Sequence, residues 1–300
     1  MVGMRHAILG PGGVGGLIGA CLADAGDTVT MIVRAAVLEQ YPAQIRLESP
    51  LLGKFNAPVQ KTAQAPPADV LWITVKATQL DSALKLVPSS EVAVAIVPLL
   101  NGVDHIAALR ARFGHDRVVP ATIAGETERA APGYIIHRSP FENLNLASSG
   151  QSRLADTVEK LTAHKVSCRF IENEATLMWS KLVFLAPFAL STTAFDTTIG
   201  RVIEKPEWRA TAETAIREAC AVANAEGAAI NVEKALHAAD NLPYDMRSSM
   251  QKDVDHGNPP ELDAIGGPIL RGGARHNIPV PATRELLARI EERVGQKASA

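Results

Sequence analysis

The chain has few of the residue types that mark disulfide-bonded, nucleic-acid-binding or highly charged proteins. Its 300 residues include three cysteines, at isolated positions without paired spacing, which fits a reducing compartment. Aromatic residues make up 4% of the sequence and the formal net charge is −2, so neither a base-stacking platform nor a polyanion partner is expected. A hydrophobic fraction of 47% is typical of a globular protein, and no metal site is predicted.

Long uninterrupted hydrophobic runs are also missing. The longest apolar stretch, residues 177–195, contains Lys181 and Pro187, which favours a buried helix over a membrane span. Residues 1–7 are too short a segment before the first glycine turn to act as a secretory signal. We therefore expect a cytoplasmic protein that does not bind a membrane or nucleic acid.

The residue composition and the hydrophobic spacing of the sequence change near residue 171. Up to residue 171, short β-branched runs alternate with helical patterns, for example the runs at 28–33, 70–75 and 92–97. This alternation predicts a Rossmann-type, doubly wound and mostly parallel sheet in a domain over residues 1–171. From residue 172, alanine, leucine and charged residues recur at helical spacing, which predicts an all-helical domain over 172–300. The helix expected over 207–226 has more apolar surface than one domain face needs, which allows a homodimer.

The strongest motif is a glycine turn near the N-terminus. An apolar run enters Gly10-x-Gly12-x-x-Gly15, and a helical pattern follows. In a dinucleotide site the first glycine permits the turn, the second lets the backbone approach a pyrophosphate, and the third lets the helix pack on its strand. N–H groups at the helix start, at Gly13 and Val14, then face the phosphates.

The end of the second strand indicates which dinucleotide binds. Arg34 lies nineteen residues after Gly15, where a carboxylate would select NAD by bonding the ribose 2′-hydroxyl. No carboxylate occupies residues 33–37, and the arginine fork suits a 2′-phosphate. The sequence therefore predicts NADP(H), although a solvated loop arginine is the alternative interpretation.

Four further motifs resemble the ketopantoate reductases (2-dehydropantoate 2-reductases). They are Val-Lys-Ala-Thr-Gln at 75–79, Leu-Asn-Gly-Val at 100–103, Trp-Ser-Lys-Leu at 179–182, and the segment from Ser-Ser-Met at 248–250 to Pro-Glu-Leu-Asp at 260–263. With the glycine turn they span nearly the whole chain in the order of that family. The resemblance implies a Rossmann domain, a helical C-terminal domain, and reduction of a 2-oxo acid by NADPH.

The resemblance also implies roles for individual residues. The lysine matching Lys181 is the general acid, and the glutamate matching Glu261 holds the substrate and positions that lysine. Residues matching Asn101 and Ser249 contact bound ligands, and the lysine matching Lys76 lies beside the reacting groups. Asn101 and Lys76 are accordingly expected to contact the cofactor as well.

Each of these residues also has a purely structural interpretation. Lys181, in an apolar helix, is either buried or extends its amine to solvent. Asn258, two prolines and Glu261 resemble a capping box, in which the glutamate bonds back to the helix start. A turn residue, a surface charge and a helix start are the corresponding interpretations of Asn101, Lys76 and Ser249.

The chain departs from the family on the Lys181 helix. Well-studied ketopantoate reductases carry asparagines one and two turns after the lysine, where this chain has Leu185 and Ala189. Leaving a substrate hydroxyl unpaired in a buried pocket costs about 1–3 kcal/mol, so a less polar 2-oxo acid is an alternative substrate. A glycine turn with a lysine such as Lys181 would also fit another hydroxyacid or imine reductase, although the segment 249–261 fits it less. A non-catalytic NADP(H) sensor is a further alternative, but it would need only the N-terminal half and not Lys181 or Glu261. Three hydroxyl side chains could compensate for the lost amides: Ser191, Thr192 and Thr193.

Overall fold

The computed structural model describes residues 3–88 and 92–298, the last two of them by backbone only. Contacts divide the chain into two units. The first comprises Met1–Leu100 and His105–Glu172, and the second comprises Asn101–Asp104 and Asn173–Ala300. Four residues from the N-terminal half of the sequence therefore belong to the C-terminal unit.

The first unit carries the strands. In chain order they are β1 (Arg5–Leu9), β2 (Thr28–Ile32), β3 (Gln44–Ser49), β4 (Gly53–Pro58), β5 (Gln60–Thr62), β6 (Ala68–Ile73), β7 (Ala93–Pro98), β8 (Ala121–Ala124), β9 (Thr127–Ala131), β10 (Tyr134–His137), β11 (Asn143–Ala147) and β12 (Ser167–Ile171). Its helices are α1 (Gly13–Asp24), α2 (Leu80–Leu84), α3 (His105–Phe113) and α4 (Gln151–Ala163).

These strands form three sheets. The largest has the order β5-β2-β1-β6-β7, and every pairing in it is parallel. The other two have the orders β4-β3-β10-β9 and β12-β11-β8. The predicted Rossmann-type parallel sheet is confirmed. The short strands β5 and β9, which lack a buried apolar alternation, were not predicted.

Helix α1 is apolar on all sides because it packs between two sheets. Gly19 lies beside Met31 of β2, and Gly16 lies beside Ile135 of β10. Residues 15–23 of the helix are all buried. An all-round apolar helix is typical of this buried position. The start of α1 is thereby held at the end of β1.

The second unit is helical. Its elements are α5 (Glu174–Ala194), α6 (Ile199–Glu204), α7 (Pro206–Ala225), α8 (Val232–Asp240), α9 (Ser249–Asp255), α10 (Leu262–Ile265), α11 (Gly267–His276) and α12 (Pro281–Ala298). Helix α5 is long and apolar enough to cross a membrane, but 67% of its most apolar window is buried inside the protein. Such burial is typical of a core helix, and α5, α7 and α12 contribute most of the core of this unit.

Candidate active site

The glycine turn forms a tight connection between β1 and α1. Gly10 has φ +90°, a left-handed conformation that favours glycine, and its carbonyl accepts the Gly12 N–H at 2.7 Å. The Thr74 hydroxyl, just beyond β6, also donates to that carbonyl at 2.7 Å. The turn is thus fixed by the neighbouring strand as well as by its own backbone. Sequence reasoning missed Thr74, because a threonine at a strand end carries no distinctive pattern.

Gly12 and Gly15 face different surroundings. A Cβ added at Gly12 would meet only the Gly10 oxygen, at 3.9 Å, so the space above this residue is open. A Cβ at Gly15 would lie 2.8 Å from the Gly10 oxygen and 2.8 Å from Ile8 Cγ2, closer than real Cβ atoms come. Gly12 therefore leaves room for a ligand, whereas Gly15 leaves room for the strand.

The start of α1 can receive an anion. Gly12 is the N-cap residue, no side chain caps the helix, and the first turn carries no acidic residue. The N–H groups of the first turn, including those of Gly13 and Val14, have no partner within the helix. Together with the open space at Gly12, these donors fit the pyrophosphate of a dinucleotide. A Cβ at Gly13 would lie 2.7 Å from the Thr127 carbonyl, so the start of β9 borders this site. The residues of β9 are mostly exposed, and the sequence therefore did not predict a strand here.

Arg34 and Lys76 occupy equivalent positions beyond two strands of the parallel sheet. Each is the extended residue before a short 3₁₀ turn: Arg34 follows β2 and Lys76 follows β6. Arg34 is exposed and Lys76 is half-buried. Both lie at the carboxyl edge of the sheet, where open α/β sheets bind their ligands.

Asn101 joins the two residues proposed for catalysis. In the second unit, the Lys181 ammonium donates to Asn101 Oδ1 at 3.0 Å. The Asn101 Nδ2 group in turn donates to Glu261 Oε2 at 3.1 Å. The amide thus presents its acceptor to the cation and its donor to the carboxylate. Lys181 and Asn101 are half-buried and Glu261 is buried, so the three form a partly desolvated polar chain.

The capping-box interpretation of Glu261 is wrong. Helix α10 begins only at Leu262, Glu261 is itself the N-cap residue, and no side chain caps this helix. The cause lies in the two prolines, because each disfavours a helical conformation in the residue before it. Asn258 and Pro259 consequently stay outside the helix, and the Glu261 carboxylate is directed to Asn101 instead.

Ser249 is the first residue of α9 and is exposed. The capping role belongs to its neighbour Ser248, whose side chain accepts the Gln251 N–H at 3.1 Å. Ser248 is buried, and its Oγ lies at hydrogen-bond distance, 3.0 Å, from Thr192 Oγ1. Position 249 thus leaves its hydroxyl at the surface of the second unit, next to a buried polar cluster.

Known proteins match both units. The family model described as "Ketopantoate reductase PanE/ApbA" matches residues 6–149, and "Ketopantoate reductase PanE/ApbA C terminal" matches residues 174–293. The 2-dehydropantoate 2-reductase of Caulobacter vibrioides is 30% identical over 304 residues, covering 94% of this chain and 96% of that protein. The chain belongs to the ketopantoate reductase family.

Two more proteins extend this similarity. The chain is 27% identical over 300 residues to YkpB of Bacillus subtilis, an uncharacterized oxidoreductase, covering 96% of this chain and 98% of that one. The crystal structure of a PanE/ApbA family ketopantoate reductase from Ralstonia eutropha JMP134 is 27% identical, with a TM-score of 0.86, and covers 98% of this chain and 100% of that one. The family makes this chain an oxidoreductase acting on CH–OH groups, with a nicotinamide cofactor.

The two positions where the resemblance implies asparagines are packed among apolar residues. Leu185 is half-buried and packs against the core of the second unit, and Ala189 is fully buried in that core. Thr192, one of the residues that could compensate, is fully buried, and its hydroxyl donates to the Phe188 carbonyl at 2.8 Å. Ser191 and Thr193 are also fully buried. None of the three hydroxyls therefore replaces the missing amides at an accessible surface of this unit.

Proposed function

We propose that this chain reduces a 2-oxo acid to a 2-hydroxy acid with NADPH, and that its substrate is ketopantoate, in a step toward pantothenate. The observation that carries the proposal is the chain of contacts from Lys181 through Asn101 to Glu261. A reductase of this class needs a proton donor for the carbonyl oxygen and a group that orients the acid. The name of the Caulobacter relative, 2-dehydropantoate 2-reductase, supports the choice of substrate.

NADPH, when bound, supplies the hydride that adds to the keto carbon. The Lys181 ammonium gives a proton to the carbonyl oxygen as negative charge develops there. The substrate thus gains one hydride and one proton and becomes the 2-hydroxy acid. An ammonium group has three N–H donors, and Asn101 engages one of them. This contact restrains the long lysine side chain, which otherwise has many rotamers, and solvent then reprotonates the amine.

Glu261 orients both the substrate and, through Asn101, the lysine. Glu261 as a whole residue is 7% exposed, so the polar groups it meets interact more strongly than they would in water. A carboxylate accepts hydrogen bonds only, which suits a hydroxyl on the substrate. Asn101 accepts from the ammonium and donates to the carboxylate, so Glu261 positions the lysine through this amide.

The cofactor-binding residues in this proposal come from the first domain, residues 1–171, and the catalytic residues from the second, residues 172–300. Asn101 differs from the other cofactor-binding residues, because it lies within residues 1–171 of the sequence but belongs to the C-terminal unit by its contacts. Gly10, Gly12, Gly13, Val14 and Gly15 hold the pyrophosphate, Arg34 holds the 2′-phosphate and selects NADP(H), and Lys76 and Asn101 meet the nicotinamide end. Ser249 contacts the substrate.

A less polar 2-oxo acid is the second candidate substrate. Leu185 presents an aliphatic side chain where studied family members present an amide, and Ala189 is closed within the core. The hydroxyl of ketopantoate would then have fewer partners. A substrate without that hydroxyl would lose nothing at this position, and the chemistry at Lys181 would be unchanged.

A matched pair of acids separates the candidates. Ketopantoate and 3,3-dimethyl-2-oxobutanoate differ only by one hydroxyl, and kcat/KM for each is measured with NADPH and with NADH. Leaving the buried partner of that hydroxyl unpaired costs about 1–3 kcal/mol, so we expect ketopantoate with NADPH to be preferred by roughly 5- to 150-fold. A preference for the unhydroxylated acid would favour the second candidate, and no turnover of any 2-oxo acid would favour the non-catalytic sensor.

A further inference from the structure

The segment Asn101–Asp104 is pressed against the start of α10. Gly102 has φ +86°, and a Cβ there would meet the Ala264 carbonyl more closely than real Cβ atoms approach any backbone atom. A residue other than glycine would therefore force this segment away from the helix. Because α10 begins directly after Glu261, the position of this segment against α10 affects the distance between Asn101 and the Glu261 carboxylate.

One guanidinium group holds this segment and α10 together. On α11, Arg271 Nε and Nη2 both donate to Asp104 Oδ2, at 3.0 and 2.6 Å. The same side chain donates through Nη1 to Asp263 Oδ1 at 2.6 Å and through Nη2 to the Asp263 carbonyl at 3.1 Å. Asp104 lies three residues after Asn101, and Asp263 lies two residues after Glu261. The planar guanidinium group has donors in fixed directions and can therefore bind Asp104 and Asp263 at once, which the single ammonium group of a lysine cannot reproduce.

Gly267 makes this position of the arginine possible. A Cβ at Gly267 would lie 2.5 Å from Arg271 Nη2, 2.8 Å from Nη1 and 2.7 Å from Asp263 Oδ1. The absent side chain thus leaves the space in which the guanidinium meets Asp263. Substitution of Gly267 by alanine would displace the charged end of Arg271 without removing it.

We propose that Arg271 is a positioning residue that keeps the Asn101–Asp104 segment in register with α10, so that Asn101 bridges its two partners. This inference rests on the proposed function, because it assigns Arg271 to the geometry of that site. The side chains of Arg271, Asp104 and Asp263 are 43%, 46% and 86% exposed. Ion pairs this exposed add little to global stability, so the loss of Arg271 acts on the site rather than on folding.

Arg275 offers a matched control. It lies one turn further along α11, is 52% exposed, and pairs with Glu226 at 2.6 Å. Its replacement removes the same charge and a comparable ion pair from the same helix, but it leaves the contacts of Asp104 and Asp263 intact. A general effect of charge or helix stability would appear in both variants.

The kinetic test compares Arg271→Ala and Gly267→Ala with Arg275→Ala. We expect Arg271→Ala to lower kcat by roughly 5- to 30-fold, which is what the loss of two exposed ion pairs permits, and to change KM for NADPH no more than Asn101→Ala does. Arg271→Lys should lower kcat as Arg271→Ala does, and Gly267→Ala should lower kcat as well. Combined with Asn101→Ala, the Arg271 substitution should add nothing further, because both remove one contact chain. A kcat within twofold of Arg275→Ala, or effects that multiply in the double variant, would overturn the proposal.

Amide hydrogen exchange gives a measurement that does not depend on turnover. Arg271→Ala should accelerate exchange in peptides covering residues 101–104, and Arg275→Ala should not. Unchanged exchange in Arg271→Ala would overturn the proposal even if kcat falls. If the unmodified protein turns over no 2-oxo acid, the proposed function fails, whereas the exchange comparison still decides whether Arg271 holds the segment.

Discussion

Two alanine substitutions in the glycine turn should have opposite consequences for binding and stability. At Gly12, φ is −82° and the nearest atom to a new Cβ is the Gly10 oxygen at 3.9 Å, so alanine fits without strain. The free energy of unfolding should therefore change by less than about 0.5 kcal/mol. The methyl group would nevertheless occupy the open space in which a pyrophosphate approaches the N–H groups of α1.

The loss of binding can be estimated from those N–H groups. A hydrogen bond to a charged group contributes about 1.5–3 kcal/mol, and one such bond lost corresponds to a roughly 10- to 150-fold rise in Kd for NADPH. At Gly15, by contrast, a Cβ would lie 2.8 Å from the Gly10 oxygen and from Ile8 Cγ2, and overpacking of this kind costs about 1–3 kcal/mol. Gly15→Ala should thus lower the free energy of unfolding.

Isothermal titration with NADPH and urea denaturation measure the two quantities on the same samples. Gly295→Ala is the control, since a Cβ at this helical position meets nothing within 4 Å, and it should leave NADPH binding unchanged. If Gly12→Ala binds NADPH as tightly as the unmodified protein, the glycine turn does not hold the pyrophosphate. If it destabilises the protein as much as Gly15→Ala does, the space beside Gly12 is not open.

Two other predictions concern single charges in the first unit. Arg34→Ala should raise KM for NADPH by roughly 10- to 100-fold, because a charged hydrogen bond to the 2′-phosphate is lost, and leave KM for NADH unchanged; equal effects on both would contradict the assignment. Burial raises the pKa of Asp27, but hydrogen bonds from His6 at 3.2 Å and Lys160 at 2.6 Å outweigh it and hold that pKa below its ordinary value. The stabilisation is therefore complete above about pH 4 and is lost as the pH falls through the lowered pKa. Asp27→Asn should lower the free energy of unfolding by about 3 kcal/mol at pH 7, and in urea denaturation that free energy should then depend less on pH below about pH 4. The exposed Asp116→Asn should have neither effect.

The fold was predictable where its signals are local. The buried strands of the parallel sheet are short apolar runs, and the glycine turn stands between the first of them and an all-apolar helix. Strand β9, with four exposed residues out of five, offers no such pattern and forms only because β10 lies beside it. The cytoplasmic location and the homodimer, which depend on surroundings outside this chain, stay predictions.

The site was predictable as a set of residues but not as a set of contacts. Family motifs identified Asn101, Lys181 and Glu261, yet their hydrogen bonds join positions 80 and 160 residues apart, and no local pattern records such pairings. Arg271 was missed for the same reason, because its partner Asp104 lies 167 residues away. The local pattern at Glu261 was misleading, since two prolines delay the start of the helix that a capping box requires.

The central claim is that Lys181 donates the proton, and one comparison tests it directly. Lys181→Ala and the unmodified protein are assayed for NADPH oxidation with saturating ketopantoate, and NADPH binding is titrated on the same samples. General acid catalysis contributes about 10²- to 10⁴-fold, so we expect kcat to fall by at least 100-fold while Kd for NADPH stays within about twofold. A variant that keeps its turnover would contradict the account and remove Lys181 from the mechanism.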